Sequence, residues 1–214
     1  MTNTYSFKEN HPASMRWWHW LNALAILGLL GTVFLRKTFL SWRTNATFIE
    51  TKVQEGGGSV SPEVAKSIAQ GLRDVMWEWH YYIGFALAAL LVVRALVGFF
   101  VVKKCPTTQA MQSVLGISKL PAEKRVRAIH FTMVKIGYAL FYLVTLYMVL
   151  SGLAMYWEET LGLSKDFAGL LKEVHETLMW FFVVFVVGHV AGVVIAENRG
   201  DRGLISEMIS GRDN

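Results

Sequence analysis

The sequence predicts an all-α fold, an integral membrane four-helix bundle, on three observations. More than half of its 214 residues are apolar, 53%, while only 17% are charged. The apolar residues are collected into long blocks instead of alternating with charge, which a soluble core of this size does not require. Four of those blocks are long enough to cross about 30 Å of hydrocarbon, which takes ~20 residues at 1.5 Å each. A disordered chain is excluded by the apolar fraction. The single cysteine, Cys105, excludes a disulfide framework, a cysteine-ligated cluster and a thioether-linked prosthetic group.

The first block, 17–35, reads as a helix over about 14–36, with Pro12 and Ser14 as helix-start residues. It is longer than a signal h-region, and the sequence after it (RKTFLSWRTN) is no small-residue cleavage site, so it is expected to remain as an anchor. A polar segment over 37–76 follows, containing Gly56-Gly57-Gly58, and reads as a loop. It is a docking surface or a solvated excursion. The second block, 81–102, predicts a helix over about 77–102, and a basic connector with Cys105-Pro106 and Pro121 separates it from the third. The third and fourth blocks, 136–157 and 178–196, predict helices over about 130–157 and 173–197. No connector is large enough to be a second domain, so residues 1–214 read as one. Lys103, Lys104, Lys119, Lys124, Arg125 and Arg127 against Glu123 alone place that connector, and with it both termini, in the cytoplasm. The net charge of +5 is thus a topology signal and gives no reason to expect nucleic acid. Tryptophans 17, 18, 20, 77, 79, 157 and 180 gather at span ends, as an aromatic belt does.

Against this apolar background the histidines carry chemistry. His189 lies well inside the fourth span, where an ionisable side chain is expensive. His175 precedes it by 14 residues, which leaves the two on one helix face about 21 Å apart. Because the spans alternate in direction, depth decides the partners. His80, just before the second block, matches His175 near the outer interface, and His19 matches His189 toward the inner one. His130 and Lys135, at the inner start of the third helix, read as interfacial residues.

Paired imidazoles without a neighbouring cysteine or carboxylate are a poor zinc site, which usually needs four protein ligands. They suit the axial positions of haem iron, which bundle cores commonly house. Without a CxxCH sequence the haem is b-type, held only by ligation and packing. Gly84 and Ala23 come one turn after His80 and His19, and Gly188 and Gly192 flank His189, leaving room for a flat ring. Arg94 lies 14 residues after His80, on the same face and about 21 Å deeper. There its guanidinium pairs with a haem propionate or a quinone oxygen, or else snorkels to the inner headgroups.

These residues resemble the bacterial cytochrome b561 family, which includes the b-type cytochrome subunits of nickel–iron hydrogenases and, more distantly, of formate dehydrogenases. The resemblance covers nearly the whole chain. It rests on Arg16-Trp17-Trp18-His19-Trp20-Leu21-Asn22, on His80-Tyr81-Tyr82-Ile83-Gly84 with Arg94, and on Ser151-Gly152. It rests also on Lys172-Glu173-Val174-His175-Glu176-Thr177-Leu178 with Gly188-His189. The tail Leu204-Ile205-Ser206-Glu207-Met208-Ile209-Ser210-Gly211 looks more like the hydrogenase-type subunits, while His-Glu-Thr-Leu looks like the small stand-alone members.

The family implies two haem b groups, His80 with His175 ligating the outer iron and His19 with His189 the inner one. It implies a bacterial inner-membrane protein of a respiratory chain that moves electrons between a periplasmic oxidoreductase, hydrogenase- or dehydrogenase-like, and menaquinone or ubiquinone. The formate dehydrogenase relatives imply a quinone near His19 and His189. An alternative is a stand-alone enzyme that oxidises superoxide or another small reductant and reduces quinone. A third reading, a small transporter with a His and Arg proton relay, leaves the 14-residue spacings unexplained.

Overall fold

A computed structural model describes residues 11–98, 114, 122–199 and 203–211. The far end of the second expected span and the connector's Lys103, Lys104, Cys105 and Lys119 lie outside them. The described residues form six helices: α1 (Ala13–Lys37), α2 (Trp42–Glu55), α3 (Pro62–Val97), α4 (Ala122–Tyr156), α5 (Lys165–Arg199) and α6 (Leu204–Ser210). Four of them, α1, α3, α4 and α5, are long and apolar enough to cross a membrane. The all-α membrane architecture expected from the apolar blocks is the one observed. Much of the apolar surface faces outward, with Leu24, Met133, Val184 and Val187 each well over half exposed, as a hydrocarbon solvent permits and water does not.

The helices outrun the spans read from hydropathy. Helix α3 begins at Pro62, not near 77, and its 36 residues measure about 54 Å, far more than the bilayer needs. The 37–76 segment is therefore no loop but a helical hairpin of α2 and the start of α3. Ser61 and Pro62 are the signal that hydropathy passes over. The Ser61 hydroxyl accepts from Val64 N at 3.4 Å and its carbonyl from Ala65 N at 3.0 Å, and proline suits the first helical position. The turn uses Gly57 at φ 78°, a conformation that costs glycine nothing. Ala46, Ala65 and Ala69 are buried in the seam, flanked by Trp42, Ile49 and Val60. Such small residues let two helices approach closely without a large apolar core. Helix α5 likewise starts early, at Lys165, where the Ser164 hydroxyl accepts from Phe167 N at 3.3 Å.

The described chain divides into two compact units, Asn22–Ala88 and Met1–Leu21 with Ala89–Asn214. In the first, α1 and α3 run antiparallel and meet in register. A Cβ on Gly28 would come 3.2 Å from Ile83 Cδ1. Thr32 bonds His80, and the Arg36 guanidinium lies 4.2 Å over the Trp77 ring. Steps of four along α1 thus match steps of three along α3, the ridge pattern of helices crossing at about 20°.

In the second unit α4 packs on α5 and α5 on α6. Phe141 stacks on Phe185 at 4.6 Å and meets Phe182 edge-on at 5.7 Å, while Ser151 meets His175 nearer the other end. The chain turns into α6 where the Glu197 carboxylate accepts from Gly203 N (2.8 Å) and Ile205 N (3.1 Å). Glu207 on α6 then accepts from the backbone N (2.7 Å) and Nδ1 (2.9 Å) of His11, and Trp20 Nε1 donates to Met208 O at 3.0 Å. Burial pushes the Glu207 carboxyl up, but the His11 donors and the charge of Arg16 outweigh it and hold the group below the usual glutamate value.

Candidate functional site

His19 and His189 come together from α1 and α5, their ring centroids 6.1 Å apart and tilted by 57°. Each ring is braced by an aromatic neighbour. Phe185, one turn before His189, stacks parallel to it within 3° at 5.9 Å, and Trp20 meets His19 edge-on at 5.4 Å. A metal–imidazole bond of about 2 Å, with the ligating nitrogen ~1.2 Å from its ring centre, sets two rings on one ion about 6.3 Å apart. The observed separation fits a shared metal.

No group of three or more His, Cys, Asp or Glu side chains gathers to hold a metal ion among the described residues. Two imidazoles alone leave an ordinary metal underligated. They suffice for an iron that brings four equatorial nitrogens with it. A Cβ placed on Gly188 or Gly192 would meet nothing within 4 Å, so the backbone beside His189 is open to a flat ring.

Arg94 belongs to the same unit. Its Nε donates to the Tyr142 hydroxyl at 3.2 Å, and its guanidinium carbon lies 5.7 Å from the Trp18 ring centre and 5.8 Å from that of Tyr142. Trp18 in turn donates Nε1 to Leu90 O at 2.8 Å and stacks on Tyr142. Since Trp18 immediately precedes His19, this cluster ties Arg94 to the helix that presents the inner imidazole. Neither Trp18 nor Tyr142 stood out in the sequence, where one reads as a belt residue and the other as one of many aromatics in a span.

His80 and His175 lie in different units, each with its own hydroxyl partner. His80 Nδ1 is 2.8 Å from Thr32 Oγ1, with the Trp77 ring 5.0 Å away. His175 Nδ1 is 2.8 Å from Ser151 Oγ, and Gly152 keeps the backbone close, since a Cβ there would stand 3.6 Å from His175 Cε1. A Cβ on Gly84, one turn from His80, would meet nothing within 4 Å. Thr32 is the residue that the sequence reading missed altogether. Its only signal is a hydroxyl buried in an otherwise apolar span. His130 is exposed, and Lys135 lies 5.1 Å over the Phe131 ring.

The comparisons with known proteins agree with one another. The chain is 25% identical over 217 residues to the probable Ni/Fe-hydrogenase B-type cytochrome subunit of Cupriavidus necator, covering 94% of this chain and 84% of that one. No solved structure matches. The model of the prokaryotic cytochrome b561 family matches residues 10–211, nearly the whole chain, and the chain belongs to that family.

Proposed function

We propose that this multi-pass membrane b-type cytochrome of an electron-transfer family holds two haem b groups in the bacterial inner membrane and links a periplasmic-side oxidoreductase, hydrogenase- or dehydrogenase-like, to the quinone pool. The observation that carries this reading is the meeting of His19 and His189 with a spacing that suits one shared iron. The haems, when bound, supply one-electron redox chemistry at metal centres buried in the bilayer.

The chain's own residues supply ligation, spacing and field. His19 and His189 would hold the haem on the inner side, and His80 and His175, matched in depth by their positions in the spans, would hold the one on the outer side. Helix α5 sets the distance between the two levels, because His175 and His189 leave it about 21 Å apart along the axis. The Met179 and Phe182 side chains between them are buried, which keeps water from that interval. Arg94, held by Tyr142 and Trp18, offers a fixed positive charge to a propionate or a quinone oxygen on the inner side. The kinship with a hydrogenase cytochrome subunit supports an oxidoreductase partner.

Affinity purification of the tagged full chain from its native membrane, followed by quinone reduction assays, tests the proposal. A co-purifying oxidoreductase subunit whose substrate reduces both haems and then quinone is the expected result. An isolated chain that reduces quinone from superoxide, with no subunit attached, would replace it by the stand-alone reading.

A further inference from the structure

The two outer histidines share a feature that the inner pair's described contacts do not show. His80 on α3 points Nδ1 at a hydroxyl of α1, and His175 on α5 points Nδ1 at a hydroxyl of α4, both at 2.8 Å. Both hydroxyls are buried, with Thr32 6% and Ser151 3% exposed, so water does not compete for them. Each hydroxyl has one proton, and each gives it to its own helix. Thr32 donates to Leu29 O at 2.7 Å and Ser151 to Met148 O at 3.2 Å. A hydroxyl that donates to its own helix turns only a lone pair to the imidazole, the arrangement in which Nδ1 donates. The proton is thereby fixed on Nδ1 and the imidazole lone pair on Nε2. His19 and His189 are instead braced by aromatic rings, Trp20 and Phe185.

We propose that Thr32 and Ser151 are positioning residues for the outer haem: their hydroxyls fix the tautomer and ring plane of His80 and His175, so that Nε2 of each is presented to iron. Accepting a hydrogen bond from Nδ1–H also makes Nε2 more electron-rich. An electron-rich axial ligand favours the oxidised metal and lowers its potential. The two hydroxyls therefore act on the outer iron and leave the inner one to its aromatic surroundings. This inference rests on the reading of His80 and His175 as iron ligands.

The test uses Thr32→Val, which keeps the shape and removes the acceptor, and Ser151→Ala, in the full chain with both haems loaded. Redox titration and electron paramagnetic resonance of the oxidised haems are read together. Each variant is expected to raise the midpoint potential of one haem, the same haem in both cases, and to shift that haem's g-values while the other stays put. Haem affinity at that site is expected to fall about 10- to 100-fold, the usual cost of losing such an outer partner. Thr32→Ser and Ser151→Thr, which keep the hydroxyl, should restore the native potential and g-values. If a valine or alanine variant fails to assemble, these hydroxyl-keeping variants remain decisive, since a native fold with altered potential would overturn the inference. Unchanged potential and g-values in both Thr32→Val and Ser151→Ala would also overturn it. His80→Ala separates the two levels of the argument, because a protein that keeps both low-spin haems after that change refutes the ligand reading itself.

Discussion

Replacing His189 by alanine should remove one haem and spare the other, and a second substitution at His19 should do no further harm. The reasoning is geometric. The two rings stand 6.1 Å apart, close to the ~6.3 Å expected of imidazoles sharing one metal through bonds of about 2 Å, which is the spacing the proposed single site requires. With either imidazole gone, the other alone would have to hold the haem. Of two haems per chain, each single variant and the double variant should therefore retain about half, a non-additivity expected of groups that act as one unit. The assay is the pyridine haemochrome content of purified, detergent-solubilised protein, with reduced-minus-oxidised spectra to confirm that the surviving haem is low-spin. Additive losses, with one haem missing in each single variant and both in the double variant, would show that His19 and His189 serve different irons and would sink the pairing.

Three further outcomes follow. Tyr142→Phe removes the acceptor for Arg94 Nε and should cost about 1–2 kcal/mol, read as an earlier loss of the Soret band on heating; an unchanged profile would mean that Arg94 does not depend on this bond. Ala65→Leu forces a large side chain into a seam where Ala65 is fully buried and should destabilise the α2–α3 hairpin by about 1–3 kcal/mol, seen as faster proteolysis within 42–62 with both haem spectra intact. The Glu207 carboxyl is held below its ordinary value, so its contact with His11 contributes stability above about pH 4.3, which is lost as pH falls through the lower folded value. Protease cleavage between α5 and α6 should rise through that acid window in the native protein, and Glu207→Gln should flatten the dependence; a dependence identical in both would assign it to another group.

What was legible in the sequence was whatever the membrane makes expensive. Apolar blocks long enough to span a bilayer fix the four crossing helices, and the structure has them. His189 stands out because an ionisable group deep in a span needs a reason, and the 14-residue spacing to His175 and the depth matches of His80 and His19 single out the other three. The helical hairpin over 37–76 was not legible, because its seam of Ala46, Ala65 and Ala69 has none of the large apolar side chains that hydropathy weighs, and the Ser61-Pro62 start signal lies far from the span it opens. Thr32, and the contact of Ser151 with His175, were hidden for another reason. A hydroxyl that bonds its own helix three residues back is common, and only the register of α1 on α3, and of α4 on α5, brings each to a histidine. Arg94 was visible as a charge, but its hold by Tyr142 and Trp18 is a tertiary fact that spacing along one helix does not contain.

The central claim is that this chain binds two b haems, each between a pair of histidines. The haem b content of the pure protein, determined per polypeptide by pyridine haemochrome against quantitative amino-acid analysis, tests it most directly. Two low-spin haems per chain is the expected value; a single haem, or a high-spin spectrum showing an open axial position, would contradict it.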